Sequence, residues 1–217
     1  MVSLIASGRG WDALEPITLP RWDLTKTESI KQAHEYLSRA DPDLLVLAWP
    51  CDPWSCIQRT NRRTPSQRTR LASRRQLHRR TLLMFCLHAA RRQRARRRAL
   101  VGENPASSEA WKEQPIAAAF EGMEAAETDM CMFGKRKPDT GELVRKRTML
   151  KGTREVVQSA TRRCDKQHDH DPVQGSMRYQ NKTVSVSSWA GGYTKAFAES
   201  LVKGAEQFLT AAGHLPE

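Results

Sequence analysis

The sequence predicts an α/β fold built on a parallel sheet, and three observations carry that prediction. Asp43-Leu44-Leu45-Val46-Leu47-Ala48 is an apolar run of strand length without polar alternation, as expected of a strand covered on both faces. Before it, Ile30, Ala33, Leu37 and Ala40 recur at helical spacing. Earlier still, residues 13–19 have the composition of a short strand. Strand, helix, strand in this order is a βαβ unit, whose two strands lie parallel.

Pro20 closes the first of these strands. Thr25-Lys26-Thr27-Glu28 has capping-box spacing, which predicts a helix over 28–39, and Asp41-Pro42 ends it. The strand at 43–48 delivers Pro50-Cys51-Asp52-Pro53-Trp54-Ser55, a loop stiffened by two prolines. Residues 59–98 hold fifteen arginines and no acidic residue, around an apolar centre at Leu82-Leu83-Met84-Phe85-Cys86-Leu87. Their middle, 68–97, is expected to form one or two helices packed on the sheet, as a basic helical insertion. Ala99-Leu100-Val101-Gly102 is the next strand and brings Glu103-Asn104-Pro105 to the same sheet edge as Cys51.

Short helices are expected at 107–112 and 115–120, and strands at 129–133 and 143–150. A hairpin-like turn at 135–142 contains Pro138 and Gly141. Residues 163–176 read as a polar loop. A helix closes the chain over 189–209, with Ala196, Phe197, Leu201, Ala205, Phe208 and Leu209 on its apolar face. No internal repeat or flexible linker divides the sequence, so residues 1–217 are expected to form one domain.

The bulk numbers narrow the partners. Thirty-six basic and 24 acidic residues give a net charge of +12 and a pI near 9.9. A polyanion is the first partner this implies, nucleic acid before an anionic membrane surface. Uncompensated arginine at the density of 59–98 repels itself, and bound phosphates would relieve that repulsion. The five cysteines are odd in number and lack framework spacing, which favours a reducing, intracellular compartment, the nucleus included. The apolar run at 1–6 is too short for a secretory segment, and 81–90 is too short to span a bilayer.

Three features converge on one chemistry: Pro50-Cys51 after one strand, Glu103-Asn104 after the next, and Arg145-Lys146-Arg147 further on. Together they resemble the cytosine-C5 DNA methyltransferases, which carry a Pro-Cys nucleophile loop, a Glu-Asn pair and an Arg-x-Arg pair in this order. A second resemblance is to the methyltransferase-like segments of protist mobile elements. These share the Pro-Cys-x-x-Trp-Ser loop, the Glu-x-Pro variant and a Cys…Gly…Val-Arg-Lys stretch like residues 131–146.

The resemblance implies a Rossmann-like, three-layer fold of the S-adenosylmethionine-dependent methyltransferase type, truncated or degenerate at its N-terminus. It implies Cys51 as the thiolate that adds to cytosine C6, because C5 is a poor nucleophile until something does. Glu103 would act at N3, Asn104 would order the loop, and Arg145 and Arg147 would hold the base carbonyl, Glu103 or a phosphate. Ser55 would position the loop or a phosphate, and Arg59, Arg62 and Arg63 would contact the nucleic acid. The target base must leave its duplex, so DNA is the implied partner, with no membrane.

On the cofactor side, the resemblance implies S-adenosylmethionine held by Glu15 at the ribose and Asp23 at the adenine. Pro50 and Tyr193 would lie beside it. Four departures stand in the sequence: only Gly8-Arg9-Gly10 where a glycine-rich loop belongs, Asp52 in the place of Gln, Pro105 in the place of Val, and a segment 148–188 too short for a sequence-reading domain. They leave open a non-catalytic nucleic-acid-binding remnant and, third, a basic structural or packaging module. Cys164, His168 and His170 form Cys-x3-His-x-His, which is not a standard zinc spacing. A fourth ligand would have to come from afar, as Cys131 could. The segment reads as a polar loop with solvated histidines, and no metal is expected.

Overall fold

The structure is a computed structural model that describes residues 1–59 and 64–214. Helix α1 (Val2–Ser7) is followed by irregular chain up to α2 (Thr27–Ala40). The strand expected at 13–19 does not form; Pro16 removes a ladder donor from its middle. Helix α2 buries Ala33 and Leu37 as its spacing predicts. Its expected capping box is absent, because the Thr25 hydroxyl donates to Asp23 (2.6 Å) and the first helical turn starts beyond it. Asp41, in the left-handed region (φ 42°), and Pro42 end the helix.

Strand β1 (Leu44–Leu47) leads into the proline loop, and α3 (Pro65–His78) begins on a capping box formed by Thr64 and Gln67. A π-helical turn at Arg79–Leu83 joins α3 to α4 (Met84–Ala95). Then come β2 (Ala99–Pro105), α5 (Gln114–Ala119), β3 (Glu124–Asp129), β4 (Arg147–Gly152) and α6 (Arg154–Ser159). The hairpin β5 (Ser176–Tyr179) and β6 (Lys182–Ser185), the short α7 (Val186–Ala190) and α8 (Lys195–Ala211) complete the chain.

The main sheet has the order β1-β2-β4-β3. β1 and β2 are parallel, with Leu44 opposite Ala99 and Leu47 opposite Gly102. β4 runs antiparallel to both β2 and β3, so the sheet is mixed rather than parallel throughout. The strand expected at 129–133 is a tight 3-10 turn (Met130–Phe133), and the true strand lies just before it. The one expected at 143–150 pairs continuously only from Arg147, with isolated bridges at Leu143 and Val144.

Helices cover both faces of the sheet. Alternation along β2 sends Leu100 into a core with Ala33, Leu37, Leu83, Phe85, Ile116 and Phe120, and Ala99 and Val101 into a second core. That second core is built from Leu150, Val156, Val157, Phe197, Leu201 and Ala205. There α8 passes so close to α6 that a Cβ on Gly204 would lie 2.6 Å from the Glu155 carbonyl oxygen. Among the described residues no helix is long and apolar enough to cross a membrane.

The arginine-rich segment departs from its expected state. Carboxylates from other parts of the chain meet many of its side chains. Arg74 pairs with Asp52, Arg75 with Glu109 (2.6 Å), Arg79 with Glu113 (2.5 Å), and Arg92 and Arg96 with Asp41 (3.3 and 2.9 Å). Arg98 reaches Asp43. Its positive charge is therefore partly neutralised inside the fold.

Candidate functional site

The carboxyl ends of β1 and β2 meet at one cleft, because parallel strands deliver their loops to the same sheet edge. Asn104 donates through Nδ2 to the Trp49 carbonyl (2.7 Å), locking the loop after β1 to the end of β2. Trp54, fully buried, donates its indole N–H to Glu113 (3.0 Å), and Arg75 donates to the Pro53 carbonyl (2.8 Å). Cys51 is thereby held half-buried between two anchored tryptophans. Asp52, the negative charge beside it, is paired with Arg74 and accepts from Gln58 (2.9 Å).

Glu103, 5% exposed, lies at the centre of the site. Lys146 donates to its Oε1 (3.2 Å) and the Tyr193 hydroxyl to its Oε2 (3.0 Å). Burial, and then the Glu103 charge, push the Tyr193 phenol well above its ordinary value. Burial pushes the Cys51 thiol up, and the nearby Lys146 ammonium only partly offsets it. Lys135 donates to the Gly192 carbonyl (2.7 Å) and lies over the Trp189 ring (4.1 Å). Burial, with the Lys146 charge added, pulls its pKa down to about 8.

Arg145 and Arg147 do not reach Glu103. Side chains alternate across extended chain, so Lys146 faces Glu103 while its two neighbours face Asp129. Arg145 Nε is 3.1 Å from Asp129 Oδ1 and Arg163 Nε is 3.2 Å from Oδ2. Burial works against the Asp129 charge, but the Cys164 amide and Arg145 still hold its carboxyl below the usual range. The cation at Glu103 is thus a lysine in the middle of the triplet. Lys135, directly after the Gly134 turn, is the second site cation that sequence reasoning missed.

A cleft of about 1610 Å³ runs from Glu103 along the outer side of β1, lined by Glu15, Asp23, Pro50, Lys135 and Tyr193. All four residues expected on the cofactor side therefore share one cavity. Glu15 is ion-paired with Arg21, and Asp23 accepts both the amide (3.1 Å) and the hydroxyl of Thr25. These Thr25 bonds hold the Asp23 carboxyl low. The indole nitrogens of Trp22 and Trp49, which also line the cleft, are buried without a partner among the described residues. Ser55 is spent locally, accepting from the Ile57 amide (3.4 Å). Arg62, Arg63 and the Arg59 side chain lie outside the described residues.

The structure also gathers Cys131, Cys164, His168 and His170, whose ligand atoms all lie within 4.8 Å of one another. Cys131, the distant fourth ligand the sequence offered, arrives from the turn after β3, and His168 and His170 are half-buried rather than solvated. No family model, curated protein or solved structure matches this chain. The fold and site define a mixed-sheet α/β domain in which a buried carboxylate, Glu103, and Lys135 line a strand-end cleft, with Lys146 on Glu103 and Cys51 in the adjoining loop.

Proposed function

We propose that this protein is a cytosine-C5 methyltransferase-like domain of the S-adenosylmethionine-dependent type, acting on DNA. One observation carries the reading: Cys51 and Glu103 stand at adjacent strand ends beside a cleft large enough for a nucleoside-bearing cofactor. S-adenosylmethionine, when bound, supplies an electrophilic methyl group. The unpartnered indole N–H groups of Trp22 and Trp49 suit such a ligand, and Glu15, Asp23, Pro50 and Tyr193 would hold it.

The chain's own residues then have distinct tasks. Cys51 gives up its proton to solvent, and the thiolate adds to C6 of an extruded cytosine, the electron pair of the C5–C6 double bond moving to C5. Glu103 contacts N3, kept in place by Tyr193 and Lys146. Lys146 takes the part first assigned to Arg145 and Arg147, as the cation beside the base. Asn104 keeps the two loops in register.

The test combines titration with S-adenosylhomocysteine and methyl transfer to DNA. One-to-one binding, with transfer abolished by Cys51→Ser and DNA affinity kept, supports the reading. Unchanged transfer by Cys51→Ser, or no binding by folded protein, overturns it. A second reading, a non-catalytic nucleic-acid-binding domain, is favoured by one observation: burial holds the Cys51 thiol in its neutral form. It expects salt-sensitive DNA binding without transfer.

A further inference from the structure

None of Cys131, Cys164, His168 and His170 lines this cleft; the cluster lies past the C-terminal end of β3, two strands along the same sheet edge. Cys164 Sγ is 3.6 Å from His168 Nε2 and 3.5 Å from His170 Nε2. Zinc bound tetrahedrally at about 2.3 Å to sulfur and about 2.0–2.1 Å to nitrogen sets sulfur and nitrogen about 3.5 Å apart. Both measured edges match that figure. Hydrogen bonds donated by the imidazoles to Cys164 Sγ would also bring these pairs together, but the gathering of two cysteines and two histidines within 4.8 Å is the donor set of a metal site. A cation at the centre satisfies all four lone pairs at once.

The surroundings hold these ligands in place. Cys131 is buried in the 3-10 turn after β3. The Cys164 amide donates to Asp129 (3.0 Å), and the Lys166 amide donates to Cys164 Sγ (3.4 Å), a contact that steadies a thiolate. Asp165 stands 3.6 Å from His168 Nδ1, on the ring edge away from Cys164. Past His170, the Asp171 amide donates to the Leu143 carbonyl (2.9 Å), anchoring the loop's end. The two imidazole rings meet edge to face at 4.6 Å, and both Nε2 atoms face Cys164 Sγ.

We propose that Cys131, Cys164, His168 and His170 form a closed, structural zinc site. Two thiolates and two imidazoles in tetrahedral array are the donor set that selects zinc among divalent cations. Four protein ligands leave no position for water or substrate, so the site is structural rather than catalytic. It clamps the segment 161–171, which has no helix or strand of its own, against the end of β3. Asp129, which receives the Cys164 amide, also receives Arg145. The metal loop thus braces the stretch that presents Lys146 to Glu103.

The full-length protein should purify with one zinc per chain by elemental analysis. Replacing zinc with cobalt(II) should give the intense visible bands and sulfur-to-metal charge transfer of a tetrahedral thiolate site. Cys164→Ser and His170→Ala should each reduce bound metal below about a tenth of an equivalent, and His170→Cys should retain it with stronger charge transfer. His214→Ala, outside the cluster, should keep full zinc. Chelation should lower the Tm of the wild type and leave that of Cys164→Ser unchanged. Folded wild type that gives only the weak spectrum of octahedral cobalt would overturn the site, as would zinc retained undiminished by Cys164→Ser. The cobalt spectrum is read on the wild type, so it decides even if a variant fails to fold.

Discussion

Lys135 is only 6% exposed, and its ammonium has two backbone carbonyls and an aromatic ring but no carboxylate partner among the described residues. Its pKa falls from an ordinary 10.5 to about 8, so the folded protein releases this proton before the unfolded chain does. Between pH 8 and 10.5 the unfolded state therefore binds more protons, and stability must rise with pH across that window. The rise is at most about 3.5 kcal/mol, at about 1.4 kcal/mol per unit. Lys135→Met should be more stable than wild type at pH 7 and should lose this slope. Urea denaturation of both proteins from pH 7 to 10 measures it, and parallel curves would exclude Lys135 as the source. Cys51 has the opposite sensitivity. In a Cys56→Ser background, which removes the exposed thiol, Cys51 alkylation should accelerate only as pH passes above 9, and Lys146→Met should slow it at any fixed pH. Full reactivity at pH 7 would contradict the burial argument.

Among the elements, the arginine-rich helix is held to its neighbours by specific pairs of unequal worth. Glu113 accepts both from Arg79 and from the indole of the fully buried Trp54. Arg79 holds its carboxyl low. Glu113→Ala should cost about 1–3 kcal/mol, because it strands a buried donor. Arg79→Ala removes a half-exposed partner and should cost under about 1 kcal/mol. Chemical denaturation separates the two, and equal losses would show that the indole bond contributes nothing. Gly204→Ala should destabilise by about 1–3 kcal/mol, since α6 and α8 must part to admit the methyl group. A neutral result would show that the interface yields freely.

The elements also show what the sequence could tell. Helix α2 was legible from its hydrophobic period, and β1, β2 and the centre of the basic segment from short continuous apolar runs. Strand β3 was not, since Glu-Ala-Ala-Glu-Thr-Asp has little strand propensity and owes its form to pairing with β4. The Cys51 and Glu103 loops were legible because strand ends fix where they lie. Lys146 was hidden because a motif of alternate arginines names the residues on one face, and the structure turns the other face to Glu103. The four members of the cysteine–histidine cluster were nameable from the sequence, but not their convergence, because a non-standard spacing and a distant Cys131 favoured a solvated loop.

For the whole molecule, charge and sheet edges set how it meets others. A net charge of +12 remains, although internal carboxylates neutralise much of the arginine-rich segment. Arg70 and Arg91 are exposed on α3 and α4. If DNA lies across these helices, each replaced singly by Ser should reduce the slope of log affinity against log salt by about 1. Fluorescence anisotropy over a salt series reads this directly, and an unchanged slope would move the DNA to another face.

The sheet ends differently on its two sides. At one margin β3 carries Glu124, paired with Arg154, and Glu127, paired with Arg147 and Arg163, and its end is covered where the Asp129 amide donates to the Arg162 carbonyl. At the other, β1 carries the half-buried Leu44, Leu45 and Val46 beside the cleft, with Pro42 and Pro50 bracketing it. Growth of this sheet is therefore directional. An incoming strand meets ion-paired side chains and the chain at Arg162 along one border and an apolar strand at the other, where the two prolines limit it to a short ladder.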